Sequence, residues 1–223
     1  MAIIERMKGR RATQSPSGYS RLFGDYLLGN LLSRVQGAVI ASGTELEKLI
    51  WERVHQVSDF DLFVSKQIKS TKSGVWVARK EQVKVSKYIK ASYEPDFLAF
   101  DLRSRICYVI EIKDGDQFDT KKSSSEYAML HSFANSIRYA IPLEYQIRIC
   151  CFNTNDKEQI YIGLKRKFSL NEILTGKELC SLFRINYDDI VAVRCHDQVA
   201  NLDYLVKELL QVPRVRELVE RYR

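Results

Sequence analysis

A chain of 223 residues, 45% hydrophobic and 28% charged, carries enough apolar side chains for one well-packed core, and neither its composition nor its length suits a disordered chain or two independent domains. A formal net charge of +7 and a sequence pI near 9.1 favour an anionic partner. No apolar run approaches the roughly 20 residues that cross a bilayer, and the basic, mixed start from Met1 to Arg11 is no secretory signal, so a cytoplasmic protein without membrane association is expected.

In chain order, residues 1–18 read as a basic N-terminal arm carrying Arg6, Lys8, Arg10 and Arg11, separated by Ser15-Pro16-Ser17-Gly18 from a single domain over 19–223. Leu22, Tyr26, Leu27 and Leu31 predict a helix over 19–36, weakened by Gly24 and Gly29. Thr44 followed by Glu47 fits a capping box, and Leu46, Leu49, Ile50, Val54 and Val57 then form one stripe, predicting a helix from about 45 to 57. Three β-like regions follow: 74–78 with 83–91, then 95–102, then 106–113, the last two joined as a hairpin through Arg103-Ser104-Arg105. Residues 120–140 read as a helix with Tyr127, Leu130, Phe133, Ala134 and Ile137 on one side and Pro142 closing it. Strand character returns over 145–152 and 159–164, and the last third is helical: after Thr175, over 202–210, and beyond Pro213. The order through residue 152 is helix, three strands, helix, strand, an α/β class with a mixed sheet flanked by helices.

Several motifs are excluded by spacing. Five cysteines (Cys107, Cys150, Cys151, Cys180 and Cys195) without a CxxC pair suit buried reduced thiols. His55, His131 and His196 have no partner at metal-ligand spacing. Asp114, Asp116 and Asp119 are no calcium loop, because Phe118 takes a ligand position and Asp119 the place of the required glycine. No Gly-rich Lys-Ser/Thr loop exists, so no nucleotide cofactor is expected.

The residues that carry chemistry stand on the predicted hairpin. Pro95-Asp96 opens its first strand and Glu111-Ile112-Lys113 closes its second, fourteen residues separating the two acids. Side chains alternate along a strand, so Glu111 and Lys113 project together and the hairpin brings Asp96 beside them. Two carboxylates so placed repel unless a cation lies between them, and hard oxygen ligands suit a magnesium ion that keeps several waters and touches a substrate phosphate. That arrangement serves phosphodiester hydrolysis, Lys113 holding the attacking water or neutralising a non-bridging oxygen. Taken alone, the pattern equally describes an aspartate starting a turn and a solvated Glu and Lys on an edge strand. The hairpin, the apolar lead into Glu111, the Asp114-Gly115 turn and the basic charge favour the site.

Pro95-Asp96 with Glu111-Ile112-Lys113 resembles the motif of the PD-(D/E)xK nucleases, and within that superfamily the chain looks most like a type II restriction endonuclease. The resemblance implies a restriction-endonuclease-like αβββαβ core, matched here by residues 44–152, with a helical C-terminal part. It implies magnesium held by Asp96 and Glu111, cleavage of double-stranded DNA at a specific sequence by a prokaryotic homodimer, and a companion DNA methyltransferase. A further acid comes in that family from the helix before the strands. Glu47, at the margin of the apolar stripe, suits this better than Glu45 or Glu52, although it also suits the return half of the Thr44 capping box. Arg10, Arg11, Lys121, Lys122, Lys165, Arg166 and Lys167 are candidates for DNA phosphate contacts, each also readable as a solvated charge. Two other functions remain open: a repair nickase or junction resolvase of the same superfamily, and a DNA-binding protein without catalysis.

Overall fold

The computed structural model describes residues 2–8, 17–69 and 74–223; Arg10 and Arg11 lie outside them. In chain order the described elements are α1 (Ile3–Arg6), α2 (Gly18–Phe23), α3 (Tyr26–Trp51), α4 (Phe60–Ser65), a 3-10 turn (Gln67–Lys69), β1 (Val75–Arg79), α5 (Lys80–Lys84), β2 (Phe97–Asp101), β3 (Ile106–Lys113), α6 (Thr120–Ile137), β4 (Glu144–Cys151), α7 (Lys157–Gly163), β5 (Ile173–Thr175), α8 (Gly176–Phe183), α9 (Tyr187–Gln211) and α10 (Pro213–Arg221). They group into two units, Glu47–Tyr187 and the combination of Met1–Leu46 with Asp188–Arg223.

The 47–187 unit is α/β. Its mixed sheet runs in the order β1-β2-β3-β4-β5, with β1, β2 and β3 antiparallel and β4 and β5 parallel to β3. The β2–β3 hairpin is as the sequence predicts, and α6 supplies the crossover that a parallel β3–β4 pair requires. Leu130, Phe133, Ala134 and Ile137 of α6 are buried in one cluster with Leu98 and Phe100 of β2 and Cys107 and Val109 of β3. One sheet face is thereby sealed by α6. Phe97 instead stacks on Trp51 at 6.4 Å and meets Phe183 edge-on at 6.0 Å.

Four predicted elements differ. Residues 83–91 are not a strand: Val85 is exposed, and Ser86 Oγ and Lys87 N donate to the Asp61 carboxylate where strand partners would be needed. Residues 159–163 fall in a helix capped by Leu164, because the Asp156 side chain accepts from Glu158 N and Gln159 N, and Ile160 and Leu164 are buried one turn apart while Ile162 faces solvent. The two N-terminal helices are drawn elsewhere. Gly24, at φ 63°, ends α2, and a single helix then runs from Tyr26 to Trp51 through Thr44, so no capping box forms there.

In the other unit, Ile3 and Ile4, within the segment read as a basic arm, are buried with Ala38 against Val35, Tyr204 and Leu205. Arg34 ties this cluster together, donating to Glu208 at 3.1 Å and to the Ile4 carbonyl at 3.3 Å. Four cysteines are buried free thiols as expected, but Cys195 on α9 is exposed, a correction to the reading of all five as buried. No helix among the described residues is long and apolar enough to cross a membrane.

Candidate active site

Strand register assembles the site. Arg79 pairs with Phe97 and Phe97 with Ile110, so the next row across the sheet holds Lys80, Asp96 and Glu111. The Lys80 amide donates to the Asp96 carbonyl at 3.2 Å, which carries the row one residue past the end of β1. Strand alternation places Asp96, Glu111 and Lys113 on the α6 face with Leu98 and Val109. Pro95 lacks an amide hydrogen, which suits the position just before the ladder begins.

Asp96 and Glu111 keep only 7% and 8% of their surface exposed, unusual burial for carboxylates unless each is matched by donors. Asp96 Oδ2 accepts from the Ile112 amide at 2.9 Å, and Oδ1 accepts from Lys80 Nζ at 3.1 Å. Glu111 Oε1 accepts from Lys113 Nζ at 2.7 Å, and Oε2 accepts from the Tyr93 hydroxyl at 2.5 Å. Lys113 Nζ donates also to Glu126 Oε1 of α6 at 2.7 Å. The ammonium is thus fixed between one acid of the sheet and one of the helix.

Glu47 reaches the same place from α3. Its Oε2 accepts from Lys80 Nζ at 2.6 Å, so Lys80 stands between Glu47 and Asp96. Burial, and after it the crowding of charge, shifts these groups. Burial first, then the charge of Asp96, pushes Glu111 up to about 7 against the opposing pull of Lys113 and Tyr93. Burial and Asp96 also raise Glu47, in spite of Lys80. Burial lowers Lys80, but hydrogen bonds and charges from Glu47 and Asp96 outweigh it and hold the ammonium above the usual lysine range.

The structure therefore brings Asp96, Glu111, Lys113 and Glu47 together, and adds Lys80, Tyr93 and Glu126. Lys121 and Lys122 are exposed in the first turn of α6, where the Asp119 side chain accepts from Lys122 N at 2.7 Å. Lys165, Arg166 and Lys167 are exposed just past α7, the first two at φ 56° and 58°. That turn is coupled to the loop after Lys113: Phe118 N donates to the Gly163 carbonyl at 3.2 Å, and Gln159 Nε2 donates to Asp116 at 2.6 Å.

Among the described residues, no three His, Cys, Asp or Glu side chains converge closely enough to enclose a metal ion by themselves. The donor set nevertheless fits magnesium. Two buried carboxylates offer hard oxygen, burial and the charge of Asp96 hold Glu111 above its ordinary range, and an ion that keeps most of its waters needs no further protein ligand.

No protein-family model matches the chain, and no solved structure does. In a 228-residue alignment that covers 100% of both chains, it is 42% identical to the type II restriction enzyme HhaII of Haemophilus parahaemolyticus.

Proposed function

We propose, for a chain that belongs to the type II restriction enzymes, that Asp96 and Glu111 hold the divalent ion and Lys113 acts on the scissile phosphate. The chain is a site-specific endonuclease whose substrate is DNA. The observation that carries the residue assignment is the row in which Asp96 and Glu111 stand buried and abreast with Lys113 beside them. We assign the set to the PD-(D/E)xK type, with α3, β1, β2, β3, α6 and β4 as its restriction-endonuclease-like core, and magnesium as the ion.

When bound, magnesium would supply positive charge against the phosphorus centre and make water a stronger acid. The residues of the chain do the rest. Asp96 is oriented by the Ile112 amide, so its carboxylate geometry is set by the β3 backbone itself. Tyr93 orients Glu111 from the other side. Lys113, held by Glu111 and Glu126, presents its third proton where an attacking water or a non-bridging oxygen can accept it. Water adds at phosphorus, the P–O bond to the leaving sugar breaks, and a proton returns to that oxygen.

DNA backbone contacts fall to Lys121, Lys122, Lys165, Arg166 and Lys167, with Arg10 and Arg11 outside the described residues. The working form is a homodimer on double-stranded DNA in a prokaryotic cytoplasm, with a DNA methyltransferase protecting the host sequence. Digesting a long defined DNA with magnesium, and separately with chelator, tests the reading. Discrete fragments with magnesium alone are expected. Nicking confined to branched or mismatched DNA would favour a repair enzyme, and binding without cutting an inactive DNA-binding protein.

A further inference from the structure

Lys80 is a cation already seated in the site. It lies one register step past β1, abreast of Asp96 and Glu111, and its ammonium is 2.6 Å from Glu47 Oε2 and 3.1 Å from Asp96 Oδ1. Glu47 lies on α3 and Asp96 just before β2, and among the described residues Lys80 is the one positive side chain paired with both. A hard cation between them would meet the same two oxygens that Lys80 occupies. Glu111, by contrast, has no contact with Lys80; its donors are Lys113 and Tyr93.

We propose that the Lys80 ammonium takes the place of a second divalent ion between Glu47 and Asp96, so that each chain binds one ion, at Asp96 and Glu111, and Glu47 acts as the anchor of Lys80 and not as a metal ligand. This rests on the assignment of Asp96 and Glu111 as the metal carboxylates. Coulomb attraction favours the arrangement: an ion entering between Glu47 and Asp96 must displace a tethered charge of the same sign, whereas one between Asp96 and Glu111 meets no ammonium held by both acids. Lys80 is then a positioning residue, fixing the free side of Asp96 while the Ile112 amide fixes the other.

Manganese bound per full-length chain, read from the electron paramagnetic resonance of free manganese without DNA, tests this. The wild type should bind one ion, K80M should gain a second, and K80R, which keeps a cation, should stay at one. E47Q should also retain one ion with affinity changed less than tenfold, and this variant decides the question even if K80M fails to fold by circular dichroism. Two ions in the wild type, one in folded K80M, or loss of the ion in E47Q overturns the role of Lys80 and leaves the metal assignment standing. Binding of no ion by the wild type, or an unchanged ion in D96N, overturns the metal assignment and this inference with it.

Discussion

At the scale of single residues, the site is a negative cluster balanced by lysines, and each member has a distinct expected cost. D96N and E111Q should abolish cleavage in magnesium while circular dichroism shows an intact fold; wild-type turnover in both places the chemistry elsewhere. K113A should lose about two orders of magnitude in turnover, the scale of removing one preorganised charge or proton-transfer partner, with DNA affinity little changed. Glu111 also dictates a pH dependence. Its pKa in the folded chain, about 7, is raised above the unfolded carboxylate value, so its contribution to stability is full at low pH and is lost as pH climbs through about 7. A bound cation favours the charged form. The increase in Tm on adding magnesium should therefore be small at about pH 5.5 and larger at about pH 8, and equal increases at the two would exclude Glu111 as a ligand. Asp96, Glu111 and Lys113 were legible in the sequence because strand alternation and a short reversal determine which side chains share a face. Lys80, Tyr93 and Glu126 were not. Their arrival depends on the β1–β2 register, on a loop path and on the rotation of α6 over β3, none of which local pattern encodes.

At the scale of elements, sequence pattern succeeded where one period had no competitor. The β2–β3 hairpin and α6 each have one buried face that only a single period explains. Misreading came where short apolar runs fit two periods. Ile160, Ile162 and Leu164 alternate as a strand would, yet the Asp156 cap and the i,i+4 burial of Ile160 and Leu164 win. Thr44 and Glu47 match a capping box, but the helix arriving from Tyr26 already satisfies the backbone there, which frees Glu47 to face Lys80. The helical identity of α7 matters for the site through Gly163. A Cβ at this position would come within 1.8 Å of the Asp116 carbonyl, in the loop that leaves Lys113 for α6. G163A should thus force that loop away, cost about 1–3 kcal/mol as overpacking does, and lower Tm by several degrees together with cleavage. An unchanged Tm would mean that the loop yields freely and does not help to hold Lys113.

At the scale of the whole molecule, net charge bears on how the chain holds DNA, and the proposed dimer on how it cuts. The net charge of +7 and the exposed knot of Lys165, Arg166 and Lys167 predict that binding weakens steeply with salt, since each phosphate contact releases condensed counterions. Neutralising the three together should lower affinity for all sequences alike and flatten the salt slope, whereas a wrong base pair in the recognised site should cost about 1–3 kcal/mol through lost contacts to base edges. One hydrolytic centre per chain can cut one strand at a time. A double-strand break at a symmetric sequence therefore asks for two chains related by a two-fold axis, each placing its own Asp96, Glu111 and Lys113 on one strand. Sedimentation should accordingly give a mass near twice the 25.9 kDa chain, and sequencing the ends of digested plasmid should return one short consensus. A monomer in the presence of cleavable DNA, nicking one strand at each encounter, would overturn the proposed dimer and leave the row of acids as the centre of a nickase.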